Sequence, residues 1–141
     1  VDVSGAGGTS WVAVETKRAE AASDNQARAL GEALWDWGIP TAASVGALAP
    51  LGFETIIATG GVATGLDVAR AIALGAAAAG IARPALQALA RGGREGALAF
   101  LEAVEHELRA VMLLTGSADL ASLRRAPKIL GSELRTWIAE A

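Results

Sequence analysis

The chain has 141 residues, no cysteine, 52% hydrophobic residues and a formal net charge of −3. That length suits one domain over residues 1–141, and only about half of a (β/α)8 barrel, which needs roughly 250 residues. Slight acidity without a basic patch argues against nucleic-acid binding, and the lack of cysteine removes disulfide scaffolds and thiol chemistry; with no leader and no apolar run that could cross a membrane, the expectation is a cytoplasmic protein.

In chain order, Val1–Ser4 reads as a short strand that passes at once into SGAGGTS, a glycine- and hydroxyl-rich loop. Trp11 is read with that loop, either as a wall of a site or as an interface anchor. In NQARALGEALWDW, residues Ala27, Leu30, Ala33, Leu34 and Trp37 recur at helical spacing, and Gly38 is expected to stop the helix. Ile39-Pro40 then leads into a second expected strand, Thr41–Val45. Further strands are expected at Thr55–Thr59 and Ala77–Ala82, all short apolar runs of the kind that parallel sheets bury on both faces.

Between the last two strands, TGLDVARAIALGA predicts a helix capped by Thr64, with Asp67 in its first turn and Gly75 closing it. RPALQALARGG predicts another, with Pro84 in its first turn. From Arg94 a long amphipathic helix carries Leu98, Leu101, Val104, Leu108, Met112 and Thr115 in one stripe. A short helix near Ala118–Arg124 and a tail through Trp137 follow. Four β/α units in series define an α/β chain with parallel strands: half of a barrel, or a small open sheet.

Loops that follow parallel strands carry the ligand sites of such folds. SGAGGTS offers backbone N–H groups and the hydroxyls of Ser4, Thr9 and Ser10. TGGVATG runs directly into a helix start, and GIARP opens another, with Arg83 beside it; helix N-termini attract phosphate. Each loop alone is more readily an ordinary turn. The last two together match the phosphate site that barrels build after strands seven and eight. His106, flanked by Glu105 and Glu107, reads as a solvated helix residue, and Glu102, Glu105 and Arg109 as surface pairs. Trp35 and Trp37 read as packing residues at a helix end.

The series VDVSGAGGTSW, GIPTAASV, IIATGGVATGLDVARAIALGA, GIARP and ELRAVMLLTGSADLASLRRAP resembles the C-terminal half of the type 2, FMN-dependent isopentenyl-diphosphate isomerases. GGVATGLDVARAIALGA with ARP is shared with the wider FMN barrel group, including α-hydroxy-acid oxidases; VDVSGAGGTSW joined to GIPTA is the discriminating part. The resemblance implies the C-terminal half of a TIM barrel and interconversion of isopentenyl and dimethylallyl diphosphate. It implies FMN contacts at Ser4 and Thr9, a phosphate-cradling turn at Gly61, Val62 and Ala63, and a second at Ala82 and Arg83. The family often carries arginine where this chain has Ala63.

Mg²⁺, NADPH for flavin reduction, a diphosphate substrate and assembly into tetramers or octamers are implied as well. The Mg²⁺ ligand and the catalytic residues would lie upstream, in the N-terminal half of the same barrel, so the sequence is expected to be a fragment that is inactive alone. Two alternatives stand beside this expectation: an α-hydroxy-acid oxidase-like enzyme, and a non-catalytic phosphate-binding half-barrel.

Overall fold

The computed structural model describes residues 1–139. Its sheet is small and parallel. Strand β1 (Ile57–Ala58) pairs with β2 (Ala78–Ala79) in the register Ile57 to Ala78 and Ala58 to Ala79. The N-terminal segment joins on the other side of β1 through a parallel bridge from Asp2 to Ile57. Its ladder continues as Val3 N–H donates to Ile57 O at 3.1 Å and Ile57 N–H to Val1 O at 2.8 Å.

Three strand segments therefore stand where four were expected. The stretch Thr41–Val45 is a correction: it forms helix α3 (Thr41–Leu48), with Pro40 just outside its start. Short, uninterrupted runs of small apolar residues look alike in a buried strand and a buried helix. The helical spacing of Ala43, Val45 and Gly46, all buried, decides the matter here. Gly46 lets α7 (Ser132–Ala139) approach closely, since a Cβ there would run into Ile138.

The first loop does not lead straight to α3. Helices α1 (Trp11–Ala21) and α2 (Asn25–Ala33) intervene as a hairpin, packed where Gly31 meets the buried Thr16. Trp11 begins α1 and is not a loop residue. Ser10 caps α1, its Oγ accepting from Ala13 N–H at 3.1 Å. Helix α2 ends at Ala33, short of Gly38, whose lack of a side chain instead lets the chain pass Ala6; an added Cβ would lie 2.9 Å from the Ala6 Cβ.

Helix α4 (Gly65–Leu74) forms as its sequence predicts. Thr64 and Asp67 make a reciprocal capping box, and Gly75 closes it at φ 123°. Helix α5 (Arg83–Leu114) runs through both later helical segments but breaks at Gly92 and Gly93, where the backbone leaves helical geometry. Helix α6 (Leu120–Arg125) completes the set.

One core cluster, Val45, Ile56, Ala58, Ala71 and Ala76, lies under the sheet. A second, Ala69, Ile72 and Leu123, takes Leu108 and Met112 from the α5 stripe. Leu98 and Leu101, at the other end of that stripe, remain about half exposed.

Candidate functional site

The parallel register determines which loops meet. Because Asp2, Ile57 and Ala78 lie side by side, the segments run out together at Ser4–Gly5, Thr59–Gly60 and Gly80–Ile81. All three glycine loops thus leave the carboxyl end of the sheet, where α/β folds bind ligands.

The first two loops are fitted backbone to backbone. Gly5 N–H donates to Thr59 O at 2.9 Å, and Ser4 N–H reaches Thr59 Oγ1 at 3.1 Å. A Cβ on Gly7 would stand 2.8 Å from Gly60 O, and one on Gly8 2.8 Å from Gly60 Cα. Side chains on Gly60 or Gly61 would collide with the backbone of Gly5 or Gly7. This close approach accounts for the glycine content of both loops. Ser4 is exposed at φ 41°, and its neighbour Asp2 accepts from the Thr59 hydroxyl. Thr9 is also exposed, just ahead of the α1 cap.

In the turn after β1, Gly60 and Gly61 have successive positive φ values of 98° and 84°. Among the described residues, the N–H groups of Gly60, Gly61 and Val62 donate to no protein acceptor. The next three amides are already held by carboxylates. Ala63 and Thr64 donate to Asp67 Oδ2 at 3.2 and 3.1 Å, and Gly65 donates to Glu107 Oε2 at 2.9 Å. The open donors therefore lie at Gly60, Gly61 and Val62, ahead of Ala63.

After β2, Ala82 occupies the N-cap of α5 and has no side-chain acceptor to cap it. The amides of Ala82, Arg83 and Ala85 have no partner among the described residues. Arg83 is exposed, and its guanidinium enters none of the ion pairs among the described residues. Two sets of free donors with a cation beside one of them suit a phosphate.

Two residues near the turn escape a reading of the loops alone. Thr41 and Arg70 line a cavity of about 270 Å³ together with Gly60, Gly61 and Val62. Arg70 stands 3.6 Å from Asp67 Oδ1 and brings a cation to the turn that contains Ala63. Its position three residues after Asp67 on α4 was the available signal. His106 is exposed on α5, and Glu105 pairs with Arg109 at 2.7 Å. Among the described residues no three histidine or carboxylate side chains gather as a metal site would require.

Parallel strands with helical crossovers, and phosphate-type loops at their carboxyl ends, define a class of cofactor-binding barrels. Residues 42–129 match the model of the FMN-dependent dehydrogenases, and the chain belongs to that family. It is similar to a mandelate oxidase variant solved with the monooxide FMN adduct, with a TM-score of 0.63 and 34% identity. That match covers 66% of this chain and 30% of the oxidase. A lactate oxidase from Pediococcus acidilactici aligns with a TM-score of 0.60 at 30% identity, over 64% of this chain and 26% of that one. The fold is a partial TIM barrel.

Sequence relatives narrow the likeness within this family. An isopentenyl-diphosphate delta-isomerase from Methanothermobacter thermautotrophicus is 44% identical over 98% of this chain and 38% of its own length. One from Sulfurisphaera tokodaii is 44% identical over 97% of this chain and 37% of its own length. The chain spans less than two fifths of the curated relatives it matches. No helix among the described residues is long and apolar enough to cross a membrane.

Proposed function

We propose that this chain supplies the FMN phosphate-binding part of an isomerase that interconverts isopentenyl and dimethylallyl diphosphate. One observation carries the reading. The FMN-dependent dehydrogenase match begins at residue 42, whereas similarity to the named isomerases runs over 98% of the chain. It therefore takes in the first glycine loop and the α1–α2 hairpin, which the broader family match omits.

The residues present fit FMN at its phosphate. The open amides of Gly61 and Val62 and those of Ala82 and Arg83 would hold that group, with the Arg83 guanidinium as counter-charge. Ser4 and Thr9, exposed along the first loop, would contact the rest of the cofactor. FMN, when bound, supplies the acid–base chemistry that moves a proton along the substrate. This chain's residues would bind and orient it, with the first loop as one wall of the site. Mg²⁺, NADPH and the diphosphate substrate belong to this reading through the complete protein, in which the upstream barrel half is the partner of residues 1–141.

The full-length protein should bind FMN saturably and convert isopentenyl diphosphate to dimethylallyl diphosphate, followed by flavin titration and product chromatography. Turnover of 2-hydroxy acids with none of isopentenyl diphosphate would replace this reading with the oxidase alternative. Binding of FMN with no turnover of either substrate would favour a non-catalytic barrel.

A further inference from the structure

We infer that Thr41 is a positioning residue whose hydroxyl aims the anion-facing amides of the Gly60–Gly61 turn. The inference rests on the FMN reading above and concerns a residue outside the glycine loops.

In an extended strand, successive carbonyls point to opposite sides. At the end of β1 they do not. Thr41 Oγ1 donates to Gly60 O and lies 3.3 Å from Thr59 O, so two consecutive carbonyls converge on one hydroxyl. The positive φ of Gly60, 98°, makes that convergence possible.

A peptide plane is rigid, and its N–H points opposite to its C=O. Carbonyls of Thr59 and Gly60 that share one direction therefore send the N–H groups of Gly60 and Gly61 together in the other. Neither N–H has a protein partner among the described residues. Consecutive amides turned the same way form the concave nest that binds anions.

The two planes are held by different donors. Gly5 N–H bonds Thr59 O at 2.9 Å, which secures the first plane from the neighbouring loop. A hydroxyl has a single proton, and its shorter contact is with Gly60 O, so Thr41 secures the second plane. The Gly61 amide is the one that depends on it. Thr41 is the first residue of α3, half-buried, and thus rigidly based.

The test compares Thr41→Val, which keeps the shape and loses the hydroxyl, with Thr41→Ser, which keeps the hydroxyl. In the full-length protein, FMN and riboflavin are titrated against each variant, because riboflavin lacks the phosphate. Thr41→Val should weaken FMN about tenfold, the loss expected when one well-placed hydrogen bond no longer fixes a turn. Riboflavin affinity should stay within about twofold of wild type, a shift too small to reflect a lost hydrogen bond, and Thr41→Ser should restore FMN binding.

Equal weakening of both ligands would assign Thr41 a general structural role and overturn the inference. So would unchanged FMN affinity in Thr41→Val. A wild-type protein that binds no FMN would instead overturn the functional reading on which the inference stands. Thermal melts of the unliganded variants guard against simple unfolding: if Thr41→Val is unfolded, the FMN-to-riboflavin ratio of Thr41→Ala decides by the same criteria.

Discussion

Glu107 joins two helices through a single contact. Its carboxylate accepts the Gly65 amide at 2.9 Å, at the positive end of α4, while Gly65 is buried against the backbone of α5. A helix start favours a negative group, by about 0.3–1 kcal/mol at ordinary exposure. Leaving the buried Gly65 N–H without an acceptor costs more, about 1–3 kcal/mol. Glu107→Ala should therefore destabilise the protein by about 2 kcal/mol in urea unfolding. Glu107→Gln, which still offers an oxygen, should lose less than half of that. Equal losses would show that charge and not the hydrogen bond matters. The contact is invisible in the sequence, where Glu107 is one of three carboxylates around His106 and lies 42 positions from its partner.

At the scale of elements, α6 is held by a device that titrates. Asp119 caps it, and hydrogen bonds from the Ser122 backbone and then the Ser122 hydroxyl hold its carboxyl below the ordinary aspartate range. The cap presents Leu123 to the second core cluster and sets Arg124 on the Ala76 carbonyl at 2.9 Å. A carboxylate whose folded pKa is depressed contributes fully above its unfolded value, about 3.9, and loses that contribution as pH falls through the lower folded value. Asp119→Ala should thus melt below wild type at neutral pH, and the two curves should converge as pH falls below about 4. A constant gap in Tm across that range would refute the capping account. Helices with local signals were legible in this way: Thr64, Asp67 and Gly75 bracket α4 in the sequence and in the structure. Helix α3 was not, because Thr41–Leu48 has no side-chain cap and its residues are nearly all apolar and small. Misplacing that element also hid Thr41, whose hydroxyl matters only from a helix start beside the turn. The Gly60–Gly61 and Ala82–Arg83 loops were legible because glycines and a helix start announce them locally. Which amides stay open depends on Asp67, within four residues of Ala63 and Thr64, and on Glu107, 42 residues from Gly65.

For the whole molecule, the question is whether residues 1–141 form a self-sufficient unit. Their three strand segments lie side by side, and among the described residues no further strand pairs with the outer edge of the N-terminal segment, where only Ala6 N–H reaches Ile39 O at 2.9 Å, or with that of β2. An open edge offers its backbone groups to any available strand. Beside the first edge lies a mostly apolar cleft of about 480 Å³, where Val1, Val3, Ile39, Leu48 and Trp137 stand with the polar Asp2 and Ser44. Leu113 and Leu114 are 81% and 85% exposed at the end of α5, and Trp37 is 80% exposed beside the first loop. Scattered apolar residues are ordinary on a surface, but apolar surface that flanks an unpaired strand invites association. Residues 1–141 expressed alone should therefore sediment well above 14.2 kDa and bind a hydrophobic dye. Adding the separately expressed upstream half should suppress the dye signal and yield a defined complex that binds FMN. If the chain alone sediments as a monomer without binding dye, its surface is already satisfied. The association argued from its open edges would then be wrong, although the phosphate turn would be unaffected.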